Sequence, residues 1–161
     1  TLVTTKRNAV SLCYSREAWR LMNGAFERLL AKDDDIAAVA DMQLGAWFAG
    51  CAIDASMLGA SHALANPLTA TYGITHGQAI ALTLPHVVRW NDQPEYCELH
   101  ADLPARLRDL ANTAGLKSRL SDCGVAEERL EQLAAAAAQQ WTGKFNPRPF
   151  DAVAEIGRAH V

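Results

Sequence analysis

Apolar positions recur along the first part of the chain with the spacing of α-helices. After Ser15, a candidate N-cap, they fall on one side of a segment that runs to about Lys32. The next segment, 36–64, is apolar nearly all round, which is typical of a buried helix. Asn66-Pro67 predicts its end, because a residue before proline disfavours the α region. The pattern therefore predicts two long helices, the second of them central.

The second predicted helix has two further features. It contains three glycines that would let neighbours approach closely or would bend it: Gly45, Gly50 and Gly59. Its most apolar stretch, 44–53, is shorter than the about 20 residues that a membrane span requires, and Asp41 and Asp54 flank it. We therefore expect a core helix and no membrane partner.

Helical spacing continues in the second half of the chain. A helix is predicted over 77–90, bent or restarted near Pro85, followed by helices over 96–114 and 126–141. Gly115 suits the residue after a helix end. No run alternates long enough to indicate a strand, so the fold class predicted is all-α, a helical bundle.

Composition narrows the class of protein. The 161 residues carry 15 Lys plus Arg against 18 Asp plus Glu, and no basic stripe appears, which argues against a nucleic-acid partner. The four cysteines form no CxxC pair, so we expect reduced, mostly buried thiols in a cytoplasmic protein.

Both ends of the sequence are unusual. Residues 1–10 contain neither an initiator Met nor a targeting pattern, so we expect a truncated reading frame. Residues 156–161 match what one frame of a sequencing adapter would encode, and we assign no function to His160. The domain is therefore taken as 1–155, with 156–161 an artefactual tail.

Two of the five histidines are candidates for chemistry. On one continuous helix, His62 and His76 would lie about 21 Å apart. Asn66-Pro67 and Gly73, however, predict a chain reversal between them, which brings both imidazoles to one point. The surroundings of His86 and His100 indicate a structural and a surface histidine respectively. Binding of a shared metal and ordinary buried or capping roles both remain open for the pair.

Two imidazoles are too few for a complete metal site. Catalytic zinc usually has three protein ligands, and non-haem iron has two histidines and a carboxylate. Asp54, placed on the same predicted helix, would lie about 12 Å from His62 along the axis. The missing ligands are therefore expected outside this chain.

The central stretch resembles iron-containing (group III) alcohol dehydrogenases. The likeness rests on GASHALANPL (59–68), YGITHG (72–77) and LPHVVRWN (84–91), and NPRP (146–149) is similar to the end of the family's helical domain. The resemblance implies the C-terminal, metal-binding domain of a dehydroquinate synthase-like fold, without its N-terminal nucleotide-binding domain. It also implies a cleft that holds Fe(II), sometimes zinc, and that uses NAD or NADP.

Residue by residue, the resemblance assigns His62 and His76 as two metal ligands, and places an Asp and a His one helical turn apart before Thr1. Asn66 stands where many members have a pocket histidine, so a proton relay there is in doubt; a helix C-cap is the equal alternative. Thr142 and Gly143 are weaker candidates for the substrate pocket.

The implied function is the interconversion of a small alcohol with its aldehyde or ketone by an enzyme that is a homo-oligomer at full length. This fragment alone is expected to be inactive. A maleylacetate reductase or a glycerol dehydrogenase relative is an alternative. A metal-free helical interaction module is another, from a different class.

Overall fold

The computed structural model describes residues 1–32 and 34–150. The segment 156–161 and His160, for which an artefactual origin is predicted, lie outside the described residues, as does Asp33. Within the described part there are helices, turns and bends but no strand. The all-α prediction is therefore confirmed.

Between residues 1 and 150, Asp33 apart, six α-helices and four short 3-10 helices follow one another. The α-helices are α1 (Ala9–Ala31), α2 (Ile36–Asp54), α3 (Ala60–Tyr72), α4 (His76–Asn91), α5 (Leu103–Thr113) and α6 (Leu130–Ala138). The 3-10 helices are Pro94–Glu98, Ser121–Cys123, Glu127–Arg129 and Trp141–Phe145. We refer to Trp141–Phe145 as the closing segment. α3 packs against α4, α6 and the closing segment, while α1 packs against α2.

The first helix begins earlier than predicted, because Asn8 and not Ser15 is its N-cap. The Asn8 side chain accepts a hydrogen bond from the Ser11 backbone N–H at 3.1 Å, and the Ser11 hydroxyl accepts one from the Asn8 backbone N–H at 3.0 Å. This reciprocal capping box satisfies two backbone donors at once. The Ser15 hydroxyl instead lies within the helix and bonds to the side chain of Thr1.

The prediction of one helix over 36–64 that ends at Asn66-Pro67 is wrong. α2 ends at Asp54, and α3 runs through Pro67 to Tyr72 before the left-handed Gly73, at φ 62°, terminates it. Proline removes one helical hydrogen bond and introduces a steric cost. Pro67 is buried where α3 packs on its neighbours, and that packing offsets the local cost.

The prediction that this apolar helix is buried is also wrong. Of the residues of α2, only Ala38, Gly45 and Ala52 are buried, whereas Ile36 is 81% exposed and Trp47 is 60% exposed. An apolar pattern indicates which faces of a helix favour burial. It does not show whether another element is present to cover them. By length and composition alone, α2 is long and apolar enough to cross a membrane. In its apolar stretch, 17% is buried within the fold.

The later predictions hold in part. α4 begins and ends within one residue of its predicted bounds and is continuous through Pro85, and Gly115 has the expected positive φ of 68°. The helix predicted over 96–114 is divided, because α5 begins only at Leu103. α6 is shorter than predicted. The four cysteines are free, but two are exposed, contrary to the expected burial: Cys13 and Cys97.

Close packing of α1 on α2 depends on Gly45. A Cβ atom added there would lie 2.5 Å from Met22 Cγ and 3.3 Å from the Ala18 carbonyl oxygen. A Cβ atom added at Gly50 would meet nothing within 4 Å. Of the three glycines in the sequence pattern, Gly45 is thus the one at which the two helices approach most closely.

We expect Gly45→Val to destabilise the chain by about 1 to 3 kcal/mol, because the added methyl groups would overpack the α1–α2 interface. Thermal unfolding followed by circular dichroism measures the effect. Gly50→Val is the matched control on the same helix and should change the free energy of unfolding by less than about 0.5 kcal/mol. Equal losses in the two variants would contradict the close approach at Gly45.

Candidate metal centre

The two candidate histidines lie on two helices that run side by side. His62 is in the first turn of α3, and His76 is the first residue of α4. The chain reverses at Gly73, whose N–H donates to the Thr69 carbonyl at 3.1 Å. Farther along the helix pair, the Thr83 hydroxyl lies 3.5 Å from the Ser61 carbonyl oxygen, which places the start of α3 beside the middle of α4.

This arrangement brings the imidazole rings of His62 and His76 together, with ring centroids 5.2 Å apart and an interplanar angle of 45°. A nitrogen of a metal-bound imidazole lies about 2.0 to 2.1 Å from a zinc ion. Two imidazoles at a tetrahedral angle around one ion would therefore have their ring centres roughly 5 Å apart. The observed separation fits two ligands of one divalent ion.

The environment of His62 favours the neutral imidazole that metal binding requires. The pKa of His62 is lowered from 6.5 to about 4, mainly by burial and to a smaller extent by the neighbouring His76. His62 is half-buried and His76 is exposed, so one ring is held inside while the other faces solvent.

By number of donors, the pair would be an incomplete metal site. Within residues 1–32 and 34–150, no group of three or more His, Cys, Asp or Glu side chains could hold an ion. Asp54 is the exposed last residue of α2 and so lies on a different helix from His62, contrary to the prediction of one shared helix. The two imidazoles fit a divalent metal in chemistry and spacing, and further donors would have to come from elsewhere.

The other two histidines occupy the surroundings that the sequence indicates. His86 lines a small cavity between apolar side chains of α3, α4 and α6, among them Leu64, Leu82 and Leu133. His100 is exposed, and its Nδ1 accepts a hydrogen bond from the Asp102 backbone N–H at 3.1 Å.

Asn66 lies in the middle of α3, one helical turn beyond His62, so its interpretation as a C-cap is wrong. Its Nδ2 donates a hydrogen bond to Oε1 of Gln140 at 3.0 Å. This contact links α3 to the residue that precedes the closing segment. Gln140 was not among the residues singled out from the sequence, and a contact across 74 positions carries no local sequence signal.

Thr142 and Gly143 lie inside the closing segment and are both buried. A Cβ atom added at Gly143 would lie 3.5 Å from Ala63 Cβ, which places this part of the segment against α3. The Thr142 hydroxyl is buried, and it has no hydrogen-bond partner within the described part of the chain. The Ser61 hydroxyl, next to His62, is also buried without a hydrogen-bond partner among the described residues.

Asn146 fastens the closing segment to the start of α3. Its Oδ1 accepts a hydrogen bond from the Ala60 backbone N–H at 3.3 Å, and its Nδ2 donates to Asn91 Oδ1 at 2.7 Å. Asn91 also donates to the Tyr96 hydroxyl at 3.1 Å. The NPRP motif therefore has a visible structural role, since its first residue holds the helix turn that carries His62.

The lowered pKa of His62 predicts a dependence of stability on pH. Between pH 6.5 and about 4 the unfolded chain binds a proton at His62 that the folded chain does not. Stability from this residue is thus fully present above pH 6.5 and is lost as the pH falls toward 4. We expect urea midpoints measured in chelator to fall less between pH 7.5 and 5 for His62→Gln than for the unchanged chain. His100→Gln is the control, because His100 is exposed, and its urea midpoints should follow those of the unchanged chain. Urea midpoints that fall equally with pH in His62→Gln and in the unchanged chain would contradict this prediction.

Comparison with known proteins supports the resemblance seen in the motifs. The family model described as "Fe-containing alcohol dehydrogenase family, C-terminal" matches residues 2–98. The chain is 34% identical over 134 residues to Aldehyde-alcohol dehydrogenase 2 of Entamoeba histolytica, covering 78% of this chain and 14% of that protein. It is 31% identical over 151 residues to Lactaldehyde reductase of Escherichia coli K12, covering 82% of this chain and 39% of that protein.

A solved structure shows the same fold. The crystal structure of Maleylacetate reductase from Agrobacterium tumefaciens superimposes with a TM-score of 0.86 at 26% identity, covering 99% of this chain and 48% of that chain. The chain thus spans less than half the length of each of these relatives.

Proposed function

Because the chain belongs to the iron-containing alcohol dehydrogenase family, we propose that the protein carrying it is a metal-dependent, NAD(P)-linked alcohol dehydrogenase. It would interconvert a small alcohol and its aldehyde or ketone. The observation that carries the proposal is the 5.2 Å separation of the His62 and His76 rings on two different helices. The oxidoreductase relatives support the reaction class.

His62 and His76 are the residues that would hold the ion, Fe(II) or zinc, together with an aspartate and a histidine that the family resemblance places before Thr1. When bound, a divalent metal acts as a Lewis acid toward the substrate oxygen, so that hydride can pass to or from the nicotinamide. Because its pKa is lowered to about 4, His62 is neutral at physiological pH and has a lone pair free to bind the ion.

Burial of His62 also limits access of water to one side of the pair. The exposed His76 lies at the start of α4 and leaves the other side open. An open side is what a catalytic metal needs, because substrate must reach the ion. The weaker pocket candidates Asn66, Thr142 and Gly143 extend from this pair along α3 to the closing segment.

We further propose a cytoplasmic homo-oligomer for the whole protein, with the nucleotide bound by a domain outside this chain. The chain alone holds two metal-binding side chains and is expected to be inactive. A maleylacetate reductase is the second candidate function, and the fit to the Agrobacterium tumefaciens structure supports it. A metal-free interaction module would not explain why the two imidazole rings lie 5.2 Å apart.

We expect His62→Ala or His76→Ala in the full-length protein to reduce metal-dependent aldehyde reduction by more than about 100-fold, since even residues that only orient metal ligands are worth 10- to 100-fold. Bound metal, measured by elemental analysis after gel filtration, should fall in parallel. Circular dichroism should show an unchanged helical content.

His100→Ala is the matched control, because His100 is an exposed histidine whose Nδ1 accepts a hydrogen bond from the Asp102 backbone N–H. It should retain both metal and activity. Full metal content and turnover in the His62 and His76 variants would refute the assignment of these ligands.

A further inference from the structure

We propose that Asn146 is a positioning residue for the metal centre: its side chain caps the start of α3 from a distant part of the chain and thereby fixes His62 for binding of a divalent ion. The inference deepens the proposed function and rests on it. It assigns to Asn146 an effect on metal affinity that is transmitted through the backbone of α3.

The helix α3 begins without a capping side chain of its own. Its N-cap residue is Gly59, which has no side chain to accept a hydrogen bond from the first backbone N–H groups of the helix. His62 is the third residue of α3 and so lies in the turn that would fray without a cap. A ligand on a frayed turn must be ordered when the ion binds, and that ordering lowers the affinity.

Asn146 supplies the missing cap from 86 positions away. Its Oδ1 accepts a hydrogen bond from the Ala60 backbone N–H at 3.3 Å. A Cβ atom added at Gly59 would lie only 3.1 Å from the same oxygen, so the glycine leaves room for the asparagine to approach. A carbonyl oxygen at this end of the helix also faces the positive end of the helix dipole. The side chain of Asn146 thus does for α3 what an N-cap residue does for other helices.

The cap is held in a single orientation. Asn146 Nδ2 donates to Asn91 Oδ1 at 2.7 Å and to the Arg148 carbonyl at 2.8 Å, and Asn146 Oδ1 also accepts from Asn91 Nδ2 at 3.2 Å. Together with the bond from Ala60, these contacts use both donors and both acceptor positions of the amide. Asn91 and Asn146 are only 5% and 6% exposed. Rotation of the amide would break buried hydrogen bonds, so the cap is preorganised.

The size of the effect follows from how remotely Asn146 acts. Residues outside the ligand shell that orient metal ligands are worth 10- to 100-fold in metal affinity. Asn146 acts through the helix backbone and not through the His62 ring itself, which places its effect at the lower end of that range. We therefore expect Asn146→Ala to raise the Kd for the ion by about 10-fold.

The test titrates the metal-free, full-length protein with Co(II), whose visible absorption reports both occupancy and coordination geometry. In Asn146→Ala the Kd should rise by about 10-fold and the absorption bands should change, with helical content retained in circular dichroism.

Two control variants separate positioning from a general loss of stability. Arg148→Ala is the matched control two residues along the chain: Arg148 is exposed, and its guanidinium donates to the Trp90 carbonyl at 2.8 Å. Gly45→Val weakens the α1–α2 interface. Neither variant removes the cap of α3, so both should bind Co(II) with an unchanged Kd.

A second substitution should rescue the first. Serine is a good N-cap residue, and Asn146→Ala removes the oxygen that lies close to Gly59. In the double variant Gly59→Ser with Asn146→Ala, the Kd should return to within about 3-fold of the unchanged protein. Gly59→Ser alone should not raise the affinity, because Asn146 Oδ1 already occupies that position. If Asn146→Ala alone loses its helical content, the double variant is compared with the unchanged protein directly.

An unchanged Kd in Asn146→Ala would overturn this inference and leave the proposed function intact. The same holds for equal losses of affinity in Asn146→Ala and Gly45→Val, and for a folded double variant whose Kd stays about 10-fold raised. Co(II) binding that is as tight in His62→Ala as in the unchanged protein would instead overturn the proposed function, and the inference with it.

Discussion

The packing of α3 along α4 is the constraint on which the rest of the structure depends. Chain reversal at Gly73 sets the two helices side by side, and the core between and beside them comprises Ala65, Leu68, Ile74, Ala79, Val125 and Leu133. Small alanines at the contact let the backbones approach, and the histidine rings then meet at the edge of the interface. A site of this kind needs no loop to position its ligands, because both come from rigid helices.

The closing segment packs against α3 and forms one side of the candidate site. Asn146 holds the first turn of α3 through the Ala60 N–H. Gly143 lies between α3 and Phe150, since a Cβ atom added there would be 3.5 Å from Ala63 Cβ and only 2.8 Å from Phe150 Cδ1. Asn91 bonds to the same asparagine from the last turn of α4. Buried polar networks of this type are costly unless every member is paired, and here the amides of Asn91 and Asn146 satisfy each other. The segment is therefore positioned by the same two helices that carry the imidazoles.

The sequence predicted the fold class and the meeting of His62 and His76. Of the two local reasons for the chain reversal, Gly73 was right and Asn66-Pro67 was wrong. The prediction placed the helix end at Pro67, whereas α3 continues to Tyr72 and the reversal lies at Gly73. Helix propensity gives the free-energy cost of a proline inside a helix. Tertiary packing decides whether that cost is offset. Gly73 could be read from the sequence because a left-handed residue after a helix is a local property.

Other features were beyond sequence reasoning for a common physical reason. The exposure of Trp47 on α2 and the bond from Asn66 to Gln140 depend on which elements become neighbours, which neither apolar periodicity nor motif spacing specifies. The Asn8 cap was missed for a different reason, since Asn8 and Ser15 are both acceptable caps and only the reciprocal bond with Ser11 decides between them.

The proposed pair of metal ligands, His62 and His76, also constrains how a metal would be held by the whole protein. Two imidazoles supply fewer donors than a catalytic zinc or iron uses, so affinity would rise steeply when further ligands are brought to the same point. His62 is prepared for this by burial, which keeps its lone pair free and removes the competing proton before any ion arrives. Below pH 6.5 this burial costs the folded chain stability, because the unfolded chain binds the proton more readily. Binding of the ion would stabilise the folded state. Metal binding and helix packing would therefore reinforce each other through His62.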